Sequence, residues 1–548
     1  MEFDYIVVGA GAAGSVVAGR LAADPRTSVL LIEYGGRDWN PLLRVPKGFY
    51  YTLRGDRYVY RYPVQPAGGG MGGGGGMGGG GGMGGEIQHG ETWLRGKVAG
   101  GSAAINGMMW STGAPADWDG LAAAGNGGWG WADIGPAFRG LEARLGVGVT
   151  ETDEQVTRAI LASATGYGWE YVADFNAHDS ERIGFTPSTI RSGRRVTSYR
   201  AFVHERGWRT GPERVPGRAG GRRGLTVATR TRAGYLLFDG SRVTGIRVRH
   251  GSSTRDVTAR REVIVCAGAI ETPLLLERSG IGDPAVLGRL GITVRAASPR
   301  VGARIVEQRG VALQVRLKDN IGPGRLVAST GGRARETLAY ILNGSGILAT
   351  AGYDLVCQFR SSPGAARPDV HGLFVPMAID PSSPELRLAR YSGVLFVGYA
   401  TRPESFGSVH AGGAAPEDPP VITARYLETE ADRAATGAVL GVARAVLGRE
   451  PLAELVSGEE FPGPAVTTAA EVMRYALDAG GGIYHAVGSA AMGPDDESVV
   501  DASLRVRGVE GLRVADASVL PGQVSGNTAA PAMAVGWRAA DLIRAEAS

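Results

Sequence analysis

Residues 1–14, MEFDYIVVGAGAAG, join a short apolar run to a glycine-rich turn at the start of the chain. Apart from Asp4, residues 3–8 are apolar and partly β-branched, which is typical of a buried strand, and the alanine-rich residues 12–21 predict a helix. A second apolar run, residues 29–32, then leads to Glu33. Because strand, helix and strand follow one another, the stretch predicts the start of a parallel sheet in an α/β fold.

The glycines of this turn form a nucleotide-binding motif. Gly9, Gly11 and Gly14 spell G-x-G-x-x-G between the strand and the helix. The first glycine permits the tight turn, the second lets a pyrophosphate approach the backbone, and the third allows close packing of helix on strand. Glu33 ends the second strand, where a carboxylate can accept hydrogen bonds from the adenosine ribose. The motif favours a dinucleotide over a purely structural turn, but it leaves NAD and FAD open because both carry an ADP half.

Strand and helix signals recur along the whole chain. Residues 224–250 alternate apolar and polar side chains around Asp239-Gly240, which predicts an antiparallel meander. Residues 262–282 and 511–543 return to a strand followed by a helix. We therefore predict a discontinuous nucleotide-binding domain, residues 1–173, 214–300 and 464–548, which is interrupted by a second domain, residues 174–213 and 301–463.

Composition narrows the class of protein. A chain of 548 residues predicts two or three domains. The formal net charge is only +4, and the basic residues are spread among acidic ones, so we expect no nucleic-acid partner. The two cysteines, Cys266 and Cys357, are too few for a disulfide framework or a metal site and are predicted to be small core residues.

Three further segments bear on location and mobility. The N-terminal residues lack the pattern of a leader, and no apolar stretch has membrane-spanning length, so we expect a soluble, cytoplasmic protein without an integral membrane segment. Residues 68–85, GGGMGGGGGMGGGGGMGG, predict a flexible surface loop or linker, and a natural repeat expansion and an engineered linker would look alike here. The basic tract at residues 217–223 predicts a solvated loop.

Four blocks together resemble one family. Residues 93–110, WLRGKVAGGSAAINGMMW, are similar to the G-R-x-x-G-G-S-S-x-I-N-G block of the glucose-methanol-choline (GMC) family of FAD oxidoreductases. Residues 268–282, 405–413 and 499–543 resemble three further blocks of that family, in the same order, although Phe406 stands where the family has Arg. Because the blocks span almost the whole chain, it is identified as a member.

The resemblance implies a Rossmann-like FAD-binding domain and a discontinuous α+β substrate-binding domain made of an antiparallel sheet plus helices. Some members attach FAD through a His at the position that Ile105 occupies here, so non-covalent FAD is expected. The alternative role for Asn106 is to form a turn rather than to contact the flavin. Residues 304–309, RIVEQR, depart from the family's N-L-x-D-H-P and leave the local packing and access route open. The implied cofactor contacts are Gly9, Gly11, Ala12, Gly14 and Glu33 for the ADP half, Val227 near the adenine, Gly101, Ser102 and Asn106 at the flavin ring, Asp516 and Ala517 near the pyrophosphate and ribityl chain, and Thr528.

The resemblance also implies the catalytic pair. Family members carry a His and, some forty positions later, a second His or an Asn that face the reactive flavin nitrogen, and His485 and Asn527 have this spacing. A neutral imidazole can accept the hydroxyl proton of an alcohol, while the Asn amide donates to the developing oxyanion. His89 is a candidate for the access channel. The remaining five histidines have polar or glycine-rich neighbours and are predicted to be surface or turn residues: His178, His204, His250, His371 and His410.

The expected activity is oxidation of a primary alcohol, with the aryl, furan-like and small aliphatic classes favoured and polyols and choline open. Either dioxygen or another electron acceptor would reoxidise the flavin. Two other functions remain as alternatives: a lyase of the same fold that holds FAD without redox chemistry, and an NAD-dependent dehydrogenase. Tyr484 and Trp110 are candidates for an aromatic pocket wall, with core packing as the alternative for each. The oligomeric state is left open.

Overall fold

The computed structural model describes residues 1–66, 91–204, 224–383 and 387–547. The glycine tract at residues 68–85, the basic tract at residues 217–223 and His89 lie outside these ranges. In the described ranges, no helix combines the length and the apolar character that crossing a membrane requires.

Strands and helices alternate through the described ranges. The strands are β1 (Glu2–Val8), β2 (Ser28–Ile32), β3 (Val59–Pro66), β4 (Glu91–Gly96), β5 (Gly148–Val149), β6 (Glu170–Tyr171), β7 (Arg182–Phe185), β8 (Pro187–Ser188), β9 (Ile190–Arg191), β10 (Arg194–Arg195), β11 (Gly224–Ala228), β12 (Thr231–Asp239), β13 (Arg242–His250), β14 (Ser253–Val265), β15 (Ile281–Gly282), β16 (Ala296–Ala297), β17 (Arg309–Leu317), β18 (Leu355–Phe359), β19 (Val370–Val375), β20 (Gly393–Ala400), β21 (Ser408–Ala411), β22 (Pro420–Ala424), β23 (Val456–Phe461), β24 (Gly481–Gly482) and β25 (Leu512–Val514). The α-helices are α1 (Ala12–Leu21), α2 (Phe49–Thr52), α3 (Pro115–Ala123), α4 (Trp131–Leu145), α5 (Gln155–Tyr167), α6 (Gly268–Arg278), α7 (Pro284–Arg289), α8 (Gly324–Ala328), α9 (Thr330–Asn343), α10 (Glu430–Leu447), α11 (Leu452–Leu455), α12 (Ala469–Asp478) and α13 (Ala529–Ala547).

The first sheet contains the N-terminal strand, helix and strand predicted from the sequence. Its order is β11-β2-β1-β14-β13-β12, and β25 also pairs with β14. Strands β11, β2, β1, β14 and β25 run parallel, and every residue of β2 is buried, as a parallel strand covered on both faces requires. Helices α1 and α13 pack against each other, so both ends of the chain belong to this layer.

The predicted meander is only partly correct. Strands β12, β13 and β14 are antiparallel neighbours, but residues 224–228 form β11, which is parallel to β2. The alternating pattern begins only at Thr231, because Leu225, Val227 and Ala228 are all buried. A strand buried on both faces has no polar alternation, which is why residues 224–228 belong to the parallel part of the sheet.

A second, mostly antiparallel sheet is formed by strands between residues 170 and 482. Among the described residues it has the order β23-β17-β20-β19-β18-β7-β6, with β24 paired to β17. All neighbours are antiparallel except β6 and β7. Strand β24 belongs to this sheet, although it lies within residues 464–548, which the sequence predicts to be part of the nucleotide-binding domain. The predicted domain limits stay a prediction.

Candidate active site

A continuous cleft runs from the first sheet to Ile483, Tyr484 and His485, which follow β24 of the second sheet. Its volume is about 360 Å³, within the roughly 300–1,000 Å³ of a typical small-molecule pocket. Among the residues that line it are ten of the predicted cofactor residues and both predicted catalytic residues: Gly9, Gly11, Ala12, Glu33, Gly101, Ser102, Asn106, Asp516, Ala517 and Thr528, with His485 and Asn527.

The glycine turn has the geometry that a dinucleotide needs. Gly9 has φ +101°, and a Cβ there would lie 2.4 Å from the carbonyl oxygen of Cys266. A Cβ on Gly14 would lie 2.0 Å from the carbonyl oxygen of Gly9, so only glycine lets α1 pack this closely. Gly101 approaches from the opposite side, where a Cβ would lie 2.7 Å from the Cα of Gly11. Backbone therefore meets backbone on both sides of the cleft, leaving a smooth cradle for a flat, phosphate-bearing group.

Two carboxylates border this cradle. Glu33 accepts hydrogen bonds from the backbone N–H of Gly35 at 2.7 Å and of Ala10 at 3.0 Å. Burial raises the pKa of the Glu33 carboxyl to about 7, and donors such as ribose hydroxyls would favour its charged form. Asp516 accepts from the N–H of Gly268, at the start of α6, at 2.8 Å, and from the hydroxyl of Thr272 at 2.7 Å. Both carboxylates are thus fixed by the backbone turns they border.

Two predicted cofactor residues do not line the cleft. Gly14 lies in the first turn of α1, where it permits the close packing described above. Val227 is buried in β11, where it pairs with Leu31 of β2. Its expected contact with the adenine stays a prediction.

The loop that contains Asn106 fixes the orientation of this side chain. Its Oδ1 accepts from Arg195 Nη1 at 2.7 Å and from the backbone N–H of Met108 at 3.1 Å. The Asn106 amide is therefore both a turn former and a cleft residue. Arg195 is buried, which lowers the pKa of its guanidinium to about 9. Ile105 is buried at the lining beside Asn106 and offers no nucleophile for a covalent bond.

The spacing that singled out His485 and Asn527 corresponds to a direct contact. Asn527 Nδ2 lies 3.0 Å from His485 Nε2, and Asn527 Oδ1 accepts from the Tyr399 hydroxyl at 3.2 Å. The backbone N–H of His485 donates to Glu307 Oε1 at 2.8 Å, and its carbonyl oxygen accepts from Gln523 at 2.7 Å. Residues from distant parts of the chain thus hold the imidazole and its backbone in one position.

The electrostatic environment keeps this imidazole neutral. Burial, and to a smaller extent the positive charge of Arg95, lower the pKa of the His485 imidazole to about 3. Burial raises the pKa of the Glu307 carboxyl to about 7, against the opposing effect of Arg95, whose Nη2 is 3.4 Å from Glu307 Oε2. A neutral imidazole is the protonation state that can accept a proton.

The two aromatic candidates for the pocket wall lie in different environments. Tyr484 lines the cleft next to His485, with a left-handed backbone at φ +68°. Trp110 is a core residue whose indole N–H donates to Glu142 at 2.9 Å. Phe49, Tyr353 and other apolar side chains complete the lining near Tyr484.

One histidine predicted to be a surface or turn residue is fully buried. His371 is fully buried in β19, where Gln358, its partner on β18, lies 3.1 Å from its Nδ1, and its ring stacks on that of Tyr399 with 5.1 Å between centroids. His410 Nδ1 lies 2.7 Å from the buried carboxylate of Glu277. The prediction for His371 was wrong because a cross-strand partner satisfies its imidazole, whereas His410 is half-buried.

The two departures from the family pattern contact each other. The guanidinium of Arg304 lies 4.4 Å from the ring centroid of Phe406, which stands where the family has Arg. In the same departing segment, Glu307 and Gln308 contact His485. The residues not predicted from the sequence are Glu307, Gln308, Arg95 and Tyr399. For Glu307 and Gln308, one signal was present: residues 304–309 differ from the expected motif.

Comparison with known proteins identifies the class. Two family models, both described as GMC oxidoreductase, match residues 3–308 and 403–536. A GMC-type oxidoreductase of Mycobacterium tuberculosis, described as uncharacterized, is 33% identical over 569 residues, which cover 99% of each chain. The oxygen-dependent choline dehydrogenase of Brucella anthropi is 30% identical over 568 residues, covering 99% of this chain and 96% of the relative. The crystal structure of pyridoxine 4-oxidase from Mesorbium loti has a TM-score of 0.83 at 25% identity, covering 99% of each chain.

The chain therefore belongs to the GMC oxidoreductase family. It is an oxidoreductase that acts on CH–OH groups with FAD as its cofactor.

Proposed function

We propose that the protein oxidises a primary alcohol of the aryl, furan-like or small aliphatic class to the aldehyde, with His485 as the catalytic base. The observation that carries this proposal is the 3.0 Å contact between His485 Nε2 and Asn527 Nδ2 in a cleft continuous with the glycine cradle. A proton acceptor and an amide donor thus lie together in the cleft that also contains the glycine cradle.

His485 and Asn527 have different roles at the alcohol oxygen. The hydroxyl of the substrate replaces the contact between the two nitrogens, donates its proton to His485 Nε2 and accepts from Asn527 Nδ2 as negative charge develops on the oxygen. Because the Asn amide cannot accept a proton, it positions the carbon and stabilises the alkoxide. Bound FAD supplies the acceptor for the hydride that leaves this carbon, and dioxygen or another acceptor takes up the electrons afterwards.

The proposed FAD site uses residues that fit its parts. The helix N-terminus after Gly9 and Gly11 suits the pyrophosphate, Glu33 the ribose, and the Gly101 loop with Asn106 the flavin ring. Binding is non-covalent at this loop, because Ile105 replaces the His that other members use.

The substrate class rests on the lining near the base. Tyr484, Tyr353, Phe49 and Ile483 are apolar or aromatic and suit an uncharged, partly aromatic alcohol. The similarity to pyridoxine 4-oxidase supports the same class. The 30% identity to an oxygen-dependent choline dehydrogenase favours choline as a second candidate substrate.

The decisive experiment is anaerobic reduction of the purified holoenzyme. The visible flavin spectrum is recorded before and after adding aryl, furan-like, aliphatic, polyol and choline-type alcohols, each in turn. Bleaching by the aryl, furan-like or aliphatic class supports the proposal, and bleaching by choline alone replaces the substrate class. Admitting air then separates an oxidase from a dehydrogenase. A bound flavin that no alcohol bleaches would favour the non-redox lyase of the same fold.

Removal of the base tests its assignment. His485→Ala should retain FAD but lose about 10²- to 10⁴-fold in turnover, the usual contribution of a general base. His178→Ala changes an exposed histidine and is the matched control, which should keep parental turnover. Near-parental turnover of His485→Ala would refute the assignment.

A further inference from the structure

Gln308 contacts the proposed base on the side opposite to the cleft. It is fully buried and immediately precedes β17. Its Oε1 lies 2.7 Å from His485 Nδ1, and its Nε2 donates to the backbone carbonyl oxygen of Thr401 at 2.8 Å. The family pattern has His at this position, so a group that cannot titrate replaces one that can.

The backbone of Thr401 decides which way the Gln308 amide points. A carbonyl oxygen only accepts hydrogen bonds, so the NH₂ group of Gln308 must face Thr401 and the amide oxygen must face His485. An amide oxygen also only accepts, so the hydrogen of the imidazole must sit on Nδ1. In a neutral imidazole, the other nitrogen then carries the lone pair.

The amide of Asn527, on the cleft side of His485, agrees with hydrogen on Nδ1. The Tyr399 hydroxyl donates to Asn527 Oδ1, which turns Asn527 Nδ2 towards His485 Nε2 at 3.0 Å. An NH₂ group donates, so Nε2 must be the acceptor. The two amides are held by different residues, and both agree with hydrogen on Nδ1 and a lone pair on Nε2. Because a tyrosine hydroxyl can accept as well as donate, the Gln308 contact is the one that fixes the tautomer.

We infer that Gln308 is a positioning residue that fixes the Nδ1–H tautomer of His485 and so makes Nε2 the proton-accepting atom. The inference rests on the proposed role of His485 as base. When Nε2 takes the alcohol proton, the imidazolium still donates from Nδ1 to Gln308 Oε1, so the same contact orients the ring before the transfer and stabilises it afterwards.

The test compares two buried glutamines on or next to one strand. Gln308→Met removes the hydrogen bonds with little change in length. Gln314→Met is the matched control, because Gln314 is also fully buried and bonds the backbone of Ile379, without contact to His485. We expect Gln308→Met to lower kcat about 10- to 100-fold with KM within about twofold of the parent, and Gln314→Met to leave both unchanged.

The tautomer itself is measured by ¹⁵N NMR of the holoenzyme with ¹⁵N-labelled histidine. The His485→Gln variant identifies the His485 signals. The parent should show a protonated Nδ1 and an unprotonated Nε2, and Gln308→Met should mix or reverse the two, while Gln314→Met should not.

Two results would overturn the inference. One is a parent with hydrogen on Nε2, which decides the matter even if Gln308→Met does not fold. The other is a His485 spectrum that is unchanged in Gln308→Met or that changes equally in Gln314→Met. Because the tautomer is read without substrate, failure of the alcohol assay would count against the proposed function alone.

Discussion

If His485 is neutral in the folded protein, acid should destabilise the fold in a way that can be assigned to this side chain. Burial lowers the pKa of the His485 imidazole to about 3 from an ordinary value of 6.5, and burial does the same for His371. Below pH 6.5 the unfolded chain binds protons that the folded chain excludes. The free energy of unfolding therefore falls as the pH falls below 6.5, and it is unaffected by these two groups at higher pH.

The size of the effect follows from the two pKa values. Between about pH 8 and about pH 5, one imidazole with a folded pKa near 3 costs about 2 kcal/mol of stability, and the two together cost about 4 kcal/mol. The figure is nearly the same for any folded pKa below about 4, because at pH 5 the cost is set by protonation of the unfolded chain. His371 is fully buried, whereas His485 is half-buried beside the cleft, so about 2 kcal/mol is the upper value for His485.

The assay is urea unfolding of the holoenzyme at both pH values with FAD in constant excess. His485→Gln cannot take up the proton, so its loss of stability between the two pH values should be about 2 kcal/mol smaller than that of the parent. His178→Gln changes an exposed histidine and should match the parent. If His485→Gln loses as much stability as the parent, His485 is not held neutral by burial, and the electrostatic argument for the base fails.

Two further substitutions test the other parts of the site. Asn527→Ala should lower kcat/KM about 10- to 100-fold, less than His485→Ala, because it removes a donor to the oxyanion and leaves the base; kinetics equal to the parent would contradict that role. Gly14→Ala should reduce the ratio of bound FAD to protein in the absorbance spectrum, since the new Cβ would lie 2.0 Å from the carbonyl oxygen of Gly9. Gly441→Ala, in an exposed position of α10 where a Cβ meets nothing within 4 Å, should retain full FAD, and equal FAD loss in both variants would argue against the steric explanation.

Helices and strands that are determined by residues close together in the sequence could be predicted from it. Helix α1 has the predicted bounds, and β1 and β2 each begin one residue earlier than predicted. Local patterns sufficed because the apolar runs, the glycines and the alanine-rich helix follow each other within about thirty residues. The parallel pairing of β11 with β2 was missed, because a short buried strand next to an alternating segment gives no local sign of its partner.

The side chains that support the candidate base could not be found in this way. Gln308 and His485 are 177 positions apart, and Tyr399 and Asn527 are 128 apart. Composition and periodicity describe a residue and its near neighbours, whereas these contacts exist only once β17, β20 and β24 have paired. His371 illustrates the same limit, since its polar neighbours in the sequence predicted exposure and its partner Gln358 is on another strand.

The segment at residues 304–309 connects the departures from the family pattern to the chemistry. The guanidinium of Arg304 stacks on the ring of Phe406. Both residues differ from the family pattern, so this contact joins the two departures. Three residues further on, Glu307 binds the backbone of His485 and Gln308 binds its ring. The segment that departs from the family motif thus supplies both contacts to His485, the proposed base, which is why the tautomer and the neutral charge of His485 are the properties to measure.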